Sequence, residues 1–164
     1  MPVKQLLDRI YARRRLVFAI LLACFVLLTL WLTLLGREPG AEREVRLTLF
    51  RAYKVWLKGR KRGPSLVKQN IENVLFFVPF GFLLPGTARR ARPGIRNFLL
   101  TGLVTLLFSA GIEAAQWMFY LGLFELDDIV CNTLGGLIGC GIYALCARRV
   151  CKRSNRRTTD GGTT

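Results

Sequence analysis

FLLTGLVTLLFSAGIEAAQWMFYL, residues Phe98 to Leu121, is the stretch whose reading decides the fold. It is long and apolar enough to cross a bilayer, whose hydrocarbon core of about 30 Å needs about 20 helical residues. Deep inside it sits Glu113. Insertion scales place a charged side chain at a helix centre about 2.5–3.5 kcal/mol uphill. Chains keep such a group when it is protonated, paired, or turned toward a polar cavity. Gln116 follows one helical turn later on the same face. The stretch therefore predicts a membrane span and marks where a site would lie.

Outward from it the same pattern recurs. Leu16 to Leu35 runs without a charge, Ile129 to Ala147 forms another apolar run, and Asn70 to Gly86 forms a shorter one. Of the 164 residues, 52% are hydrophobic, and the mean hydropathy is +0.34. These features predict an all-α integral membrane bundle with about four transmembrane segments, near 16–35, 70–86, 98–121 and 129–147. A basic cytoplasmic tail over 1–15 precedes a membrane domain over 16–147. A basic tail over 148–164 follows, and from Ser154 it lacks apolar periodicity and is expected to be disordered. Leu21-Leu22-Ala23-Cys24 resembles a lipoprotein cleavage box, but the apolar run continues well past Cys24. An uncleaved first span is expected.

The formal net charge of +15 suits lipid headgroups and membrane orientation better than nucleic acid, which is not expected as a partner. Five cysteines without a C-x-x-C pair, and the absence of histidine, argue against a zinc site or disulfide framework. No cofactor or metal is expected.

The basic residues distribute unevenly. Lys4, Arg9 and Arg13 to Arg15 precede the first segment, Arg89, Arg90, Arg92 and Arg96 lie between the second and third, and Arg148 onward closes the chain. The third connection carries Glu125, Asp127 and Asp128 instead. Both termini inside the cell, in a multi-pass arrangement, fits this bias. The first connection is also basic, although Glu38, Glu42 and Glu44 partly offset it. Within it, Val45 to Lys58 spaces its larger apolar residues as an interfacial amphipathic helix would; an ordinary polar-capped connector is the plainer alternative. The second segment would reach only about 22 Å from Ile71 to Pro85 at 1.5 Å per residue. Pro79 and Gly81 interrupt it, and a short, kinked, complete span is expected rather than a re-entrant one.

This topology brings polar groups of three segments into one leaflet: Asn73 from the second, Glu113 and Gln116 from the third, and Asp127, Asp128 and Asn132 from the fourth. Each has a plain structural reading as well. Asp127 or Asp128 caps the fourth helix, the asparagines bond between helices, and Glu113 donates as a neutral acid. Pro79 and Gly81 make a kink, and Gly135 with Gly139 forms a small-residue face for close helix packing.

NVLFFVPFGFLLP (Asn73 to Pro85), IEAAQ (Ile112 to Gln116) and DDIVCNTLGGLIG (Asp127 to Gly139) together resemble the VanZ-like family of small bacterial membrane proteins. The family pattern marks Asn73, Pro79 to Gly81, Glu113, Gln116, Asp128, Asn132 and Gly135. That family commonly carries an arginine before the acidic pair, whereas Gly122 to Phe124 has none, and Glu72 stands where a small or apolar residue is usual. The resemblance implies an envelope protein lowering susceptibility to teicoplanin or lipoglycopeptides. It would act by binding or excluding an amphiphile at the bacterial cell membrane. Its expected partners are membrane lipids, a lipid-linked precursor or a lipoglycopeptide, and another copy of itself in a homo-oligomer. Two alternatives stand beside it. One is a small transporter or assembly partner with a protonatable Glu113; the other is a membrane enzyme using Glu113 and Asp128 as an acid/base pair on a lipid headgroup.

Overall fold

The computed structural model describes residues 3–40, 44–88 and 94–160. Arg89, Arg90 and Arg92, used above for orientation, lie outside the described residues. Helix α1 (Val3–Leu30) passes into a π-helical turn (Trp31–Leu35). A two-residue strand β1 (Val45–Arg46) and a short helix α2 (Arg51–Leu57) follow. Helices α3 (Gly63–Gly86) and α4 (Ile95–Met118), strand β2 (Phe124–Glu125) and helix α5 (Leu126–Asp160) complete the chain.

Three stretches, Ala12–Leu35, Ile95–Met118 and Leu126–Arg149, are long and apolar enough to cross a membrane. The second predicted segment differs. It is longer than expected: α3 is a helix of 24 residues that starts seven positions earlier and has Pro79 inside it. Pro64 in its first turn, where no intrahelical N–H bond is lost, explains the early start. Its first half carries Lys68, Gln69, Asn70, Glu72 and Asn73, so it has a span's length without its uniform apolarity. Two other expectations are corrected. The amphipathic helix shrinks to the seven residues of α2, because Val45–Arg46 pairs in parallel with Phe124–Glu125. The C-terminal tail is helical through Asp160, since extending an existing helix adds one bond per residue and no glycine intervenes before Gly161.

The bundle buries polar side chains beside an aromatic core and leaves many leucines exposed. On α4 the buried residues are Thr101, Thr105, Ser109, Ile112, Glu113 and Gln116, whereas Leu99, Leu103 and Leu107 are exposed. Lipid tails are as apolar as leucine, so close packing and hydrogen bonds, not burial of apolar surface, hold such helices together. The inward threonines satisfy themselves: Thr105 donates to the Thr101 carbonyl at 2.7 Å and Thr29 to the Phe25 carbonyl at 2.8 Å.

The tightest crossing joins α3 and α5. A Cβ on Gly81 would collide with the Gly136 carbonyl, one on Gly135 with the Val74 carbonyl, and one on Gly139 with the Val78 carbonyl. These glycines let the two backbones touch. Beside the crossing, Phe25, Phe76, Phe77, Phe80 and Phe108 form an aromatic core, with Phe80 stacked on Phe108 at 5.3 Å. Such pairs contribute about 0.5–1.5 kcal/mol each beyond their area.

At the far end of the bundle, Arg15 donates to the Thr87 carbonyl at 3.1 Å and Arg14 to the Tyr143 hydroxyl at 3.3 Å. The start of the apolar part of α1, the end of α3 and the second half of α5 thus meet at one basic end. Successive long helices run in alternating directions.

Candidate functional site

At the opposite end, where α1 and α4 finish and α5 begins, lies a cleft of about 320 Å³. Asn73 from α3, Glu113 and Gln116 from α4, and Asp128 and Asn132 from α5 all line it. Five of the six polar candidates read from the sequence therefore converge on one volume. Helical spacing is the cause: Asp128 and Asn132 are one turn apart on α5, and Glu113 and Gln116 are one turn apart on α4.

Each side chain has a definite partner. Glu113 Oε2 accepts the backbone N–H of Glu125 at 3.0 Å, tying α4 to the strand before α5. Gln116 Nε2 donates to the Thr33 carbonyl at 3.2 Å. Thr33 belongs to the π-helical turn, in which the Gly36 N–H reaches back to the Trp31 carbonyl at 2.7 Å. Such turns recur at functional sites. Gln69 Nε2 donates to Asp128 Oδ2 at 3.3 Å, and Asn73 faces the same carboxylate. Asn132 Nδ2 donates to Ser109 Oγ at 2.8 Å. Two acceptors, Asp128 Oδ1 and Asn132 Oδ1, are shielded yet have no hydrogen-bond partner among the described residues. A buried polar atom left so costs about 1–3 kcal/mol.

Asp127 is the exception. It points away from the cleft and accepts the backbone N–H groups of Phe50 at 2.6 Å and Arg51 at 2.8 Å. It thus caps α2 rather than its own helix. Phe50 sits at φ 57°, a left-handed conformation costly for a bulky residue, and the two carboxylate bonds hold it there. Gly81, Gly135 and Gly139 lie on the α3–α5 crossing, Pro79 is exposed on α3, and none of the four lines the cleft.

The acidic loop lacks a cation of its own, and the first connection supplies the cations instead. Arg46 meets Glu125 at 2.7 Å and Glu44 at 2.6 Å, and Arg51 approaches Glu125 at 3.5 Å. Arg46's hydrogen bond, backed by its charge, holds Glu44 below the usual carboxylate range, and the bond to Glu44 raises Arg46. Arg37 lies at the lip, its guanidinium 3.0 Å from where a Gly122 Cβ would sit. Sequence reasoning missed Thr33, Arg37, Arg46 and Ser109. Only Ser109 left a signal, through the four-residue spacing of Thr101, Thr105, Ser109 and Glu113.

These features define a helical membrane protein with a polar cleft at one end of its bundle. The chain belongs to the VanZ/LLP1 family, whose sequence profile matches residues 15–147. It is also similar to Protein VanZ of Enterococcus faecium. The two are 27% identical over 132 residues, covering 76% of this chain and 72% of that relative. No solved structure matches it.

Proposed function

We propose that this chain is a bacterial envelope protein that lowers susceptibility to teicoplanin or lipoglycopeptides by holding an amphiphile in the polar cleft. The observation that carries the reading is the cleft itself: about 320 Å³ of polar volume at the end of otherwise lipid-facing helices, with two acceptors unsatisfied. A headgroup would enter it while the acyl chain stays against the exposed leucines of the helix faces. Membership of the family supports the antibiotic class, and a polar cleft beside exposed leucines supports an amphiphile as ligand.

In this reading α3 is the fourth crossing: Asn70 of its polar half is buried, Asn73 lines the cleft, and Lys68 pairs with Glu72 on the exposed face. Both termini are cytoplasmic, and the cleft opens in the outer leaflet. Pairing of Glu125 with Arg46 and Arg51 gives the cleft a fixed wall on that side. The test is a clean deletion complemented by the wild-type gene, with inhibitory concentrations measured for teicoplanin, a lipoglycopeptide and a glycopeptide without an acyl chain. Loss of protection against the acylated compounds on deletion, restored by complementation, is expected. Unchanged inhibitory concentrations for all three compounds in the deletion strain would overturn the proposal.

A further inference from the structure

We infer that the headgroup taken by the cleft is zwitterionic, presenting a primary ammonium to Asp128 and Asn132 and an anionic group to Arg37. The inference rests on the amphiphile-binding reading above and names its ligand.

The floor of the cleft asks for a donor. Asn132 is only 6% exposed, and its Nδ2 is committed to Ser109, so the atom it turns free is Oδ1, an acceptor. Asp128 Oδ1, one turn away on the same face of α5, is a second free acceptor. Glu113 adds a carboxylate from the facing helix. An ammonium carries three donors and no acceptor, which matches this set; a hydroxyl brings one donor and a quaternary amine none. Charge-assisted bonds to the carboxylates are also stronger than neutral ones.

Charge decides the rest. Of the carboxylates that line the cleft, Glu125 is neutralised by Arg46 and Arg51, and Glu113 and Asp128 have no ion pair among the described residues. Arg37 at the lip has no carboxylate within ion-pair distance among the described residues. A simple cation would be repelled there. A headgroup with its cation inward and its anion at the lip satisfies both ends.

The ammonium has two chemical sources, a phospholipid headgroup and an amino side chain of a lipid-linked peptide. The full-length protein in detergent is therefore assayed by native mass spectrometry against two pairs of probes. The first pair is phosphatidylethanolamine and phosphatidylcholine with the same acyl chains. The second is an acylated lysyl peptide and its trimethyl-lysine counterpart. At least tenfold tighter retention of the primary amine in either pair is expected, and the pair that shows it names the source. The preference disappears in Asn132→Leu, while Gly141→Ala, at a position with open space, keeps it. Arg37→Gln, at an exposed position, weakens retention of the zwitterionic probe and leaves a plain long-chain primary amine unaffected. Equal retention within both pairs overturns the inference but leaves amphiphile binding standing. Failure to retain any amphiphile overturns both. An unchanged zwitterion affinity in Arg37→Gln overturns the placement of the anion.

Discussion

Glu113 is kept near the cleft end of α4 because the strand that follows that helix gives its carboxylate an N–H to accept. This makes its two obvious substitutions behave differently. Glu113→Gln keeps an acceptor oxygen, so the protein is expected to reach the membrane at near wild-type abundance. Glu113→Leu strands the Glu125 N–H and costs about 1–3 kcal/mol. Fluorescence-detected size exclusion of tagged variants reads the difference; a Glu113→Leu variant as monodisperse as wild type would contradict the bonding described. Asp127 carries a second residue-scale prediction. Asp127→Ala removes the cap of α2 and the bonds that hold Phe50 left-handed, a loss of about 0.5–2 kcal/mol. Limited proteolysis after Arg60, Lys61 and Arg62 is expected to accelerate, and an unchanged rate would show that α2 is held by other means. The convergence of Asn73, Glu113, Gln116, Asp128 and Asn132 was legible because helical periodicity and chain reversal place them together. The role of Asp127 was not, because its partners lie 76 and 77 residues away.

Helix pairs, not single helices, carry the fold. The α3–α5 crossing depends on glycines that admit backbone at van der Waals distance, and this argues for a sharp contrast between two neighbouring positions. Gly139→Ala would drive a methyl into the Val78 carbonyl and force the helices apart, at a cost of about 1–3 kcal/mol. Gly141→Ala meets nothing within 4 Å and gains helix propensity, up to about 1 kcal/mol. Thermal unfolding in detergent is expected to fall for the first and to hold or rise for the second. Equal shifts would mean the crossing is looser than described. The three apolar helices and the small-residue face could be read directly from sequence. The extent of α3 could not, since its added residues, Gly63 to Gln69, form a polar turn-like run without apolar periodicity. The β1–β2 pair escaped for another reason: two residues in each strand leave no periodic pattern, and the Arg46–Glu125 pair that accompanies them spans 79 positions.

At the scale of the whole molecule, four antiparallel long helices segregate the chain into a basic end and a cleft end. The proposed orientation, with the basic end in the cytoplasm, follows the positive-inside bias. Reporter fusions within the first connection and at the C-terminus are expected to report outside and inside, respectively; the reverse, inside and outside, would bring the cleft to the inner leaflet. The claim on which everything turns is that this cleft is where protection arises. The most direct measurement is teicoplanin susceptibility of the deletion strain carrying Asn132→Leu or Gly141→Ala, at membrane abundance matched to wild type. Protection is expected to be lost with Asn132→Leu and kept with Gly141→Ala. Full protection by a wild-type amount of Asn132→Leu would contradict the account.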